Sequence, residues 1–414
     1  MATVKPFCSI RPNKEVVSKV AALPYDVYNR EEAKAVVAGN PLSFLKIDRA
    51  ETQFSDDVSI HDPRVYEKAR ELLEAWIADG TLVSDESECY YIYELTMDGR
   101  TQTGIVACAA VDDYLEHVIK RHESTREEKE LDRICHVDVT DAHTGPIFLA
   151  YRSDEELNRM VSLVCETEAL YDFTAEDGVR HRVWKANDTE LVERVQARFA
   201  AIPALYIADG HHRAASAVKV GLRRRDKLPY YTGKEPFNFF LSVLFPDDQL
   251  MIMPYNRVVR DLNGYSKEAF LREVEARFQV TRLGNTQYQP KERHQFGMYL
   301  DGDWYALRVN QELVNESDPV KGLDVSILQD VLLGPVLGIR DPRTDERIDF
   351  IGGIRGLAEL ERRVAEDMEV AFSMYPTSIQ ELFAVADDGF LMPPKSTWFE
   401  PKLRSGLFIH KLTE

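Results

Sequence analysis

The 414-residue chain is expected to fold as α/β (α+β), and three observations carry that expectation. Short apolar runs of strand length alternate with longer stretches whose apolar residues recur at helical spacing. Glycine and proline turns punctuate the alternation, among them Asp98-Gly99 between two strand-like arms. Most telling is Leu205–Ala208, a buried-strand pattern that breaks at Asp209-Gly210 before a helix-forming run from Arg213. Strand, tight turn and helix are the usual layout of an anion-binding corner, with free backbone N–H groups and the positive end of the helix dipole facing outward. The same residues equally suit a plain turn with a capping aspartate.

The remaining elements follow in chain order. Val20–Leu23 is a short apolar stretch stopped by Pro24-Tyr25-Asp26, Glu31–Val37 reads as a helix, and Asn40–Ile47 as a turn feeding a strand. Asp62-Pro63 opens a helix with proline near its first position; Val65, Ala69, Leu72, Leu73 and Trp76 recur on one face, and Gly80 ends it. Tyr90–Leu95 and Thr103–Val111 are the arms of the hairpin. A charged stretch, Ile119–Arg133, precedes a strand at Gly145–Tyr151, a helix at Glu155–Val164, a strand edge at Val183-Trp184 and an amphipathic helix at Asp188–Ala197. Beyond the corner come strands at Phe239–Leu244 and Pro254–Val259, then a helix running into a strand over 264–282. A linker is expected at Leu283–Gln295 and a long apolar helix around Leu323–Leu337. Boundaries at 115/116 and 262/263 divide the chain into N-terminal α/β, core and C-terminal α/β regions: 1–115, 116–262 and 263–414.

Composition limits the function classes. Hydrophobic content of 44% and charge of 29% are those of an ordinary globular protein. A formal charge of −19 argues against nonspecific nucleic-acid binding, which needs a basic face, but leaves room for a local basic pocket. No stretch approaches a bilayer-spanning apolar run, and the first residues lack a signal-peptide layout. Five cysteines without a C-x-x-C pair read as reduced, mostly buried thiols. The expectation is a cytoplasmic protein with small ligands and no membrane partner.

Several chemistries are excluded by spacing. Thr232-Gly233-Lys234 lacks the upstream glycine of a Walker A loop, and no G-x-G-x-x-G occurs. His122-Glu123 is followed by Arg126 where a zincin needs its second histidine. His211 and His212 are adjacent, so on a helix they point about 100° apart and do not share one metal. What remains is a richness of phosphate donors near carboxylates. Gly210 lets the backbone approach an anion, His211 and His212 add donors, and Arg213 can grip two oxygens. Asp209 would repel a phosphate directly, so it either caps the helix or holds Mg²⁺ bridging the phosphates.

Lys120-Arg121-His122-Glu123 forms a second constellation. Three basic neighbours favour an ionised Glu123, able to orient a hydroxyl and take its proton late in phosphoryl transfer. The alternating charges equally suit a solvated helix. Lys395 and Lys402, among prolines and aromatics, could reach phosphates or mark a surface turn. Asp26 and Arg257 each follow a proline at a strand end, where functional residues often sit.

Taken together these segments resemble a bacterial and archaeal family of unknown function labelled SpoOJ/ParB/RepB-like. The matching pieces are Leu23–Val27, Asn40–Leu45, Ile119–Thr125, Asp132-Arg133, Gly145–Phe148, Asp209–Arg213 and Met392–Thr397. The corner also resembles the signature of the ParB/sulfiredoxin superfamily, which binds nucleotide phosphates there. That resemblance implies a ParB/sulfiredoxin-like nucleotide-binding core at 116–262 with α/β extensions. Within the superfamily, free-serine kinases carry a catalytic glutamate upstream of the corner; by that parallel Glu123 is the base and Asp209 the second catalytic residue. Gly210, His211, His212, Arg213, Lys120, Arg121, His122, Lys395 and Lys402 are then phosphate ligands. Asp26, Thr125, Arg133 and Arg257 fall to the acceptor. Two features depart from the pattern: Asn256 stands where many relatives have histidine, and the turn lacks the cysteine of sulfiredoxins. The resemblance thus implies a kinase that uses Mg²⁺ with ATP or ADP to phosphorylate free L-serine. The alternative is a ParB/RepB-type nucleotide-binding regulator without turnover. ATP against ADP, the acceptor hydroxyl and the oligomeric state leave no motif.

Overall fold

The computed structural model describes residues 1–125 and 127–413. Its α/β chain forms two compact units: residues 1–121, 125–250 and 401–414 in one, 122–124 and 251–400 in the other.

The first unit is built on a nine-stranded mixed sheet. Eight strands run in the order Ile119–Lys120, Leu205–Asp209, Ile147–Tyr151, Phe239–Pro246, Arg100–Ala110, Tyr90–Met97, Arg180–Ala186 and Tyr171–Thr174, with Val4–Lys5 added beside Arg100–Ala110. Two pairings are parallel, Ile119–Lys120 on Leu205–Asp209 and Phe239–Pro246 on Ile147–Tyr151. All eight residues of Phe239–Pro246 are buried, as a central strand covered on both faces requires. Strands from 1–115 and 116–262 therefore share one sheet, and the boundary expected at 115/116 runs through a common core. That core joins Tyr90, Ile105, Leu149, Trp184, Phe199, Leu205 and Phe240.

A second core packs helices beside the sheet. Asn29 and Glu32 make a reciprocal capping box at the start of Arg30–Gly39. Asp62 accepts from Arg64 N at 2.9 Å ahead of Pro63, opening Pro63–Ala78 as its sequence foretells. Phe44 and Trp76 meet edge to face at 6.2 Å. The strand expected after Asn40 is instead a helical turn, Leu45–Asp48. Phe44, Leu45 and Ile47 are all fully buried there, so no amphipathic period distinguishes strand from helix.

The second unit carries a six-stranded antiparallel sheet in the order Phe278–Gly284, Asp303–Val309, Gln295–Leu300, Val370–Met374, Tyr255–Val259 and Ile348–Gly352. Leu283–Gln295, expected as a linker, connects two strands of this sheet. It is fastened by Ser373 Oγ donating to Tyr288 O at 2.7 Å and Gln289 Nε2 donating to Met374 O at 2.8 Å. The apolar run at Leu323–Leu337 is not one long helix. An α-helical turn, Asp324–Leu328, passes into a π turn, Gln329–Leu333, with Gly334 N donating five residues back to Gln329 O at 2.8 Å.

The C-terminal segment returns to the first unit. His410–Lys411 pairs with Ala142–His143, and Arg404 Nε donates to His181 Nε2 at 3.2 Å. His181 Nε2 must then be unprotonated, so Nδ1 carries the hydrogen and donates to Tyr93 Oη at 2.8 Å. Cys89 and Cys108 are buried as expected, whereas Cys8 and Cys135 are exposed.

Candidate functional site

The corner is positioned by its neighbours in the sheet. Leu205–Asp209 lies between the edge strand Ile119–Lys120 and the strand Ile147–Tyr151, and four of its five residues are buried. Gly210 then takes φ 93° and ψ 31°, and the helix His211–Lys227 begins immediately, two residues earlier than the sequence suggests. Asp209 does not cap this helix. Its Oδ1 accepts from Gly210 N at 2.8 Å, Oδ2 accepts from Lys402 Nζ at 3.2 Å, and Arg213 stands 3.9 Å away. Burial opposes ionisation of Asp209, but Lys402 and Arg213 outweigh it and hold its carboxyl well below the usual range. The acid in the turn is thus neutralised internally, which removes the repulsion an incoming anion would otherwise meet.

Arg213 folds back over the turn while Nη1 donates to Pro146 O at 2.5 Å. A Cβ added at Gly210 would meet its guanidinium at 3.1 Å and would also need a left-handed backbone. Gly210→Ala should therefore destabilise the protein by about 1–2 kcal/mol, read as a lowered midpoint in urea unfolding; an unchanged midpoint would mean that the turn relaxes freely.

Beside the corner, a cavity of about 300 Å³ opens in the first unit, with His212 on its wall. Five carboxylates line it (Asp26, Asp48, Glu51, Glu128 and Asp132), with Arg49, Arg133, His61, Tyr25, Tyr66 and His136 among them. Arg49 donates to the carbonyls of Tyr25 at 3.0 Å and Tyr28 at 2.6 Å and pairs with Glu51. Arg133 pairs with Asp132 at 2.6 Å and lies 4.0 Å over the Tyr25 ring. Asp132 also accepts from Tyr66 Oη at 2.9 Å, with His61 at 3.3 Å. Burial pushes the Asp132 pKa up, but Arg133 and Tyr66 bring it below the ordinary carboxylate value. Burial pushes the Tyr25 phenol up to about 12, so it stays protonated and can donate. The result is a polar cavity in which Arg49, Glu51, Asp132 and Arg133 are held by hydrogen bonds and ion pairs.

Asp209, Gly210, His211, His212, Arg213 and Lys402 thus come together at the corner, and Asp26, Arg133 and His212 line the cavity. Lys120 lies on the edge strand 5.9 Å from the Tyr206 ring, with exposed Arg121 next to it. Thr125 hydrogen-bonds Glu130, which in turn pairs with Lys219. Other expected residues sit in the second unit. His122 is buried; its carbonyl accepts from Met392 N at 2.8 Å, Nε2 lies 3.3 Å from Thr397 Oγ1, and half-buried Glu123 follows.

Arg257 is structural rather than open to a substrate. It is buried, donates to Tyr255 O and to Lys395 O at 3.0 Å, and is pulled down to about 10 by burial. It fixes the exposed, positive-φ turn at Lys395. Asn256 is likewise committed, accepting from Met374 N at 3.0 Å. The cavity residues missed by sequence reasoning include Asp48, Arg49, Glu51, His61, Tyr66 and His136, scattered over helices and turns with no motif spacing. Tyr25 and Asp132 adjoin residues that were singled out, and their side-chain chemistry was the available signal.

Fold and site together define an α/β protein with an anion-type corner opening beside an acid-lined cavity. The chain belongs to the family described as protein of unknown function (DUF1015), whose model matches residues 4–326. No curated protein sequence matches it. Among solved structures it is similar to a free serine kinase variant in complex with ADP, at 14% identity and a TM-score of 0.35 over 74% of this chain and 93% of that one. It is also similar to SbnI with a C-terminal truncation from Staphylococcus aureus (12%, TM-score 0.38, 72% and 85%). A conserved hypothetical protein from Pyrococcus furiosus gives 14%, a TM-score of 0.32, and 73% and 93%.

Proposed function

We propose that the protein is a small-molecule kinase of ParB/sulfiredoxin type that transfers a phosphoryl group from ATP or ADP to the hydroxyl of free L-serine, giving O-phospho-L-serine. The observation that carries this reading is the internally neutralised corner with its helix N-terminus, beside a cavity lined by acids and arginines. The first suits the phosphates of a nucleotide, through backbone N–H groups, His212 and Arg213. The second suits a small acceptor that carries a hydroxyl and an ammonium group, which acids such as Asp26 and Glu128 can hold.

In this reading the serine oxygen bonds to the terminal phosphorus of the nucleotide while the bridging P–O bond breaks toward the leaving phosphate. The hydroxyl proton passes to the Glu123 carboxylate, the base assigned by its place in the motif. Lys120, Arg121 and Lys395 add positive charge. Both Asp209 oxygens are engaged by Gly210 and Lys402, so its fitted role is to set the turn. Asp209 is therefore not a preformed ligand for Mg²⁺, which would be brought with the nucleotide and would neutralise phosphate charge.

The test is incubation of the purified chain with Mg²⁺, ATP or ADP, and a panel of hydroxy amino acids, read by mass spectrometry. O-phosphoserine is the expected product. Nucleotide binding with no phosphorylated acceptor would replace the kinase reading with that of a nucleotide-binding regulator.

A further inference from the structure

A second, smaller chamber of about 30 Å³ adjoins the large cavity. The two share Tyr25, Asp48, Arg133 and His136, which makes the small one an annex of the large. Its volume holds about two waters, enough for the two oxygens of one carboxylate. Arg133, paired with Asp132 at 2.6 Å, and Arg213, 3.9 Å from Asp209, line its wall. Asp48 lines it too, and one of its oxygens accepts from Thr144 Oγ1 at 2.7 Å.

His143 gives the annex its clearest signature. It is 7% exposed, its ring is stacked on His410 at 5.8 Å, and neither ring nitrogen has a hydrogen-bond partner among the described residues. Buried polar groups are rarely left in that condition. Burial, reinforced by His410 and Arg224, pushes its pKa well down, so the ring is neutral and offers one N–H donor. Gly145 keeps the chamber open: a Cβ there would lie 2.9 Å from Ser405 Oγ and 3.7 Å from Arg213 Nη1.

We propose that this annex is a carboxylate subsite that selects α-amino acids as acceptors, with Arg133 as the buried cation and His143 as a neutral donor. The ammonium and hydroxyl groups of the same molecule then remain in the acid-lined cavity. The proposal rests on the kinase reading of this site and deepens it by naming where the acceptor's carboxylate is held and which acceptors that hold rejects.

The experiment compares L-serine with ethanolamine, which keeps the hydroxyl and ammonium but lacks the carboxylate. Both turnover and calorimetric binding are measured on the full chain. L-Serine should be favoured by at least ~100-fold in kcat/KM, because a site built around polar donors rejects an analogue that leaves them unpaired. Gly145→Ala, whose Cβ intrudes at 2.9 Å from Ser405 Oγ, and His143→Leu should each lower the preference for L-serine over ethanolamine in kcat/KM at least ~10-fold. The second variant carries the test should the first not fold. Equal handling of the two acceptors overturns the annex while leaving the kinase reading standing. Absence of turnover with every acceptor removes the kinase reading, and binding then decides: preference for L-serine upholds the annex, and no preference overturns it.

Discussion

Glu123→Gln should abolish phosphorylated product while leaving nucleotide affinity within about twofold of the unsubstituted protein. Loss of a general base costs about 10²–10⁴-fold in rate. Glutamine preserves size and hydrogen-bonding shape but cannot accept the hydroxyl proton. The surrounding backbone should stay in place, because buried His122 is fastened through its carbonyl to Met392 and its ring lies by Thr397. Turnover by mass spectrometry and affinity by calorimetry together separate chemistry from folding. Residual turnover above about a tenth would remove Glu123 from the role of base. Parallel losses of turnover and affinity would make it a binding residue instead.

The corner was legible because its requirements are local. A strand of apolar residues, a glycine able to take φ 93° and a helix-forming run specify the turn without help from the rest of the chain. Its electrostatics were less legible. Lys402 reaches Asp209 from 193 residues away, and only the return of the C-terminal segment into the first unit brings the two together. Sequence offered Lys402 as a phosphate ligand and Asp209 as a cap or metal ligand, whereas their pairing satisfies both within the turn.

The cavity was legible only in fragments. Asp26 and Arg133 stood out beside proline and charged motifs, but Arg49, Glu51 and Tyr66 come from a helical turn and a long helix whose faces become neighbours only on packing. Arg257 shows the opposite error. Its place after a proline suggested function, yet burial and two carbonyl partners make it a clamp on the Lys395 turn.

Acid should unfold the first unit well before the second. Burial, aided by Arg404, pulls His181 down to about 3, and burial pulls His410 down to about 4. Both join the C-terminal segment to the sheet or to its pairing strand: His181 by its bond from Arg404, His410 in the pairing with His143. A histidine whose pKa is lowered on folding binds its proton more readily when unfolded, so its stabilisation is complete above 6.5 and drains away as pH falls toward the folded value. Over that window His410 gives up as much as about 3 kcal/mol at 1.36 kcal/mol per unit, and His181 more. Against a total of about 5–15 kcal/mol, that loss is large.

In the second unit burial lowers His294 in the same sense, but Asp324, which accepts from His294 N, acts in the opposite one. Burial pushes its carboxyl up to about 7, so the folded form holds a proton that the unfolded chain takes up only near 3.8, and falling pH adds stability there. Hydrogen exchange, corrected for intrinsic rates, should therefore show protection of Ala142–His143, Arg180–Ala186 and His410–Lys411 falling between pH 6.5 and about 4.5. Over the same range Gln295–Leu300 and Asp324–Leu328 should hold theirs. Simultaneous loss in both sets of segments would refute the opposed linkage, since one set of groups would then govern the whole chain.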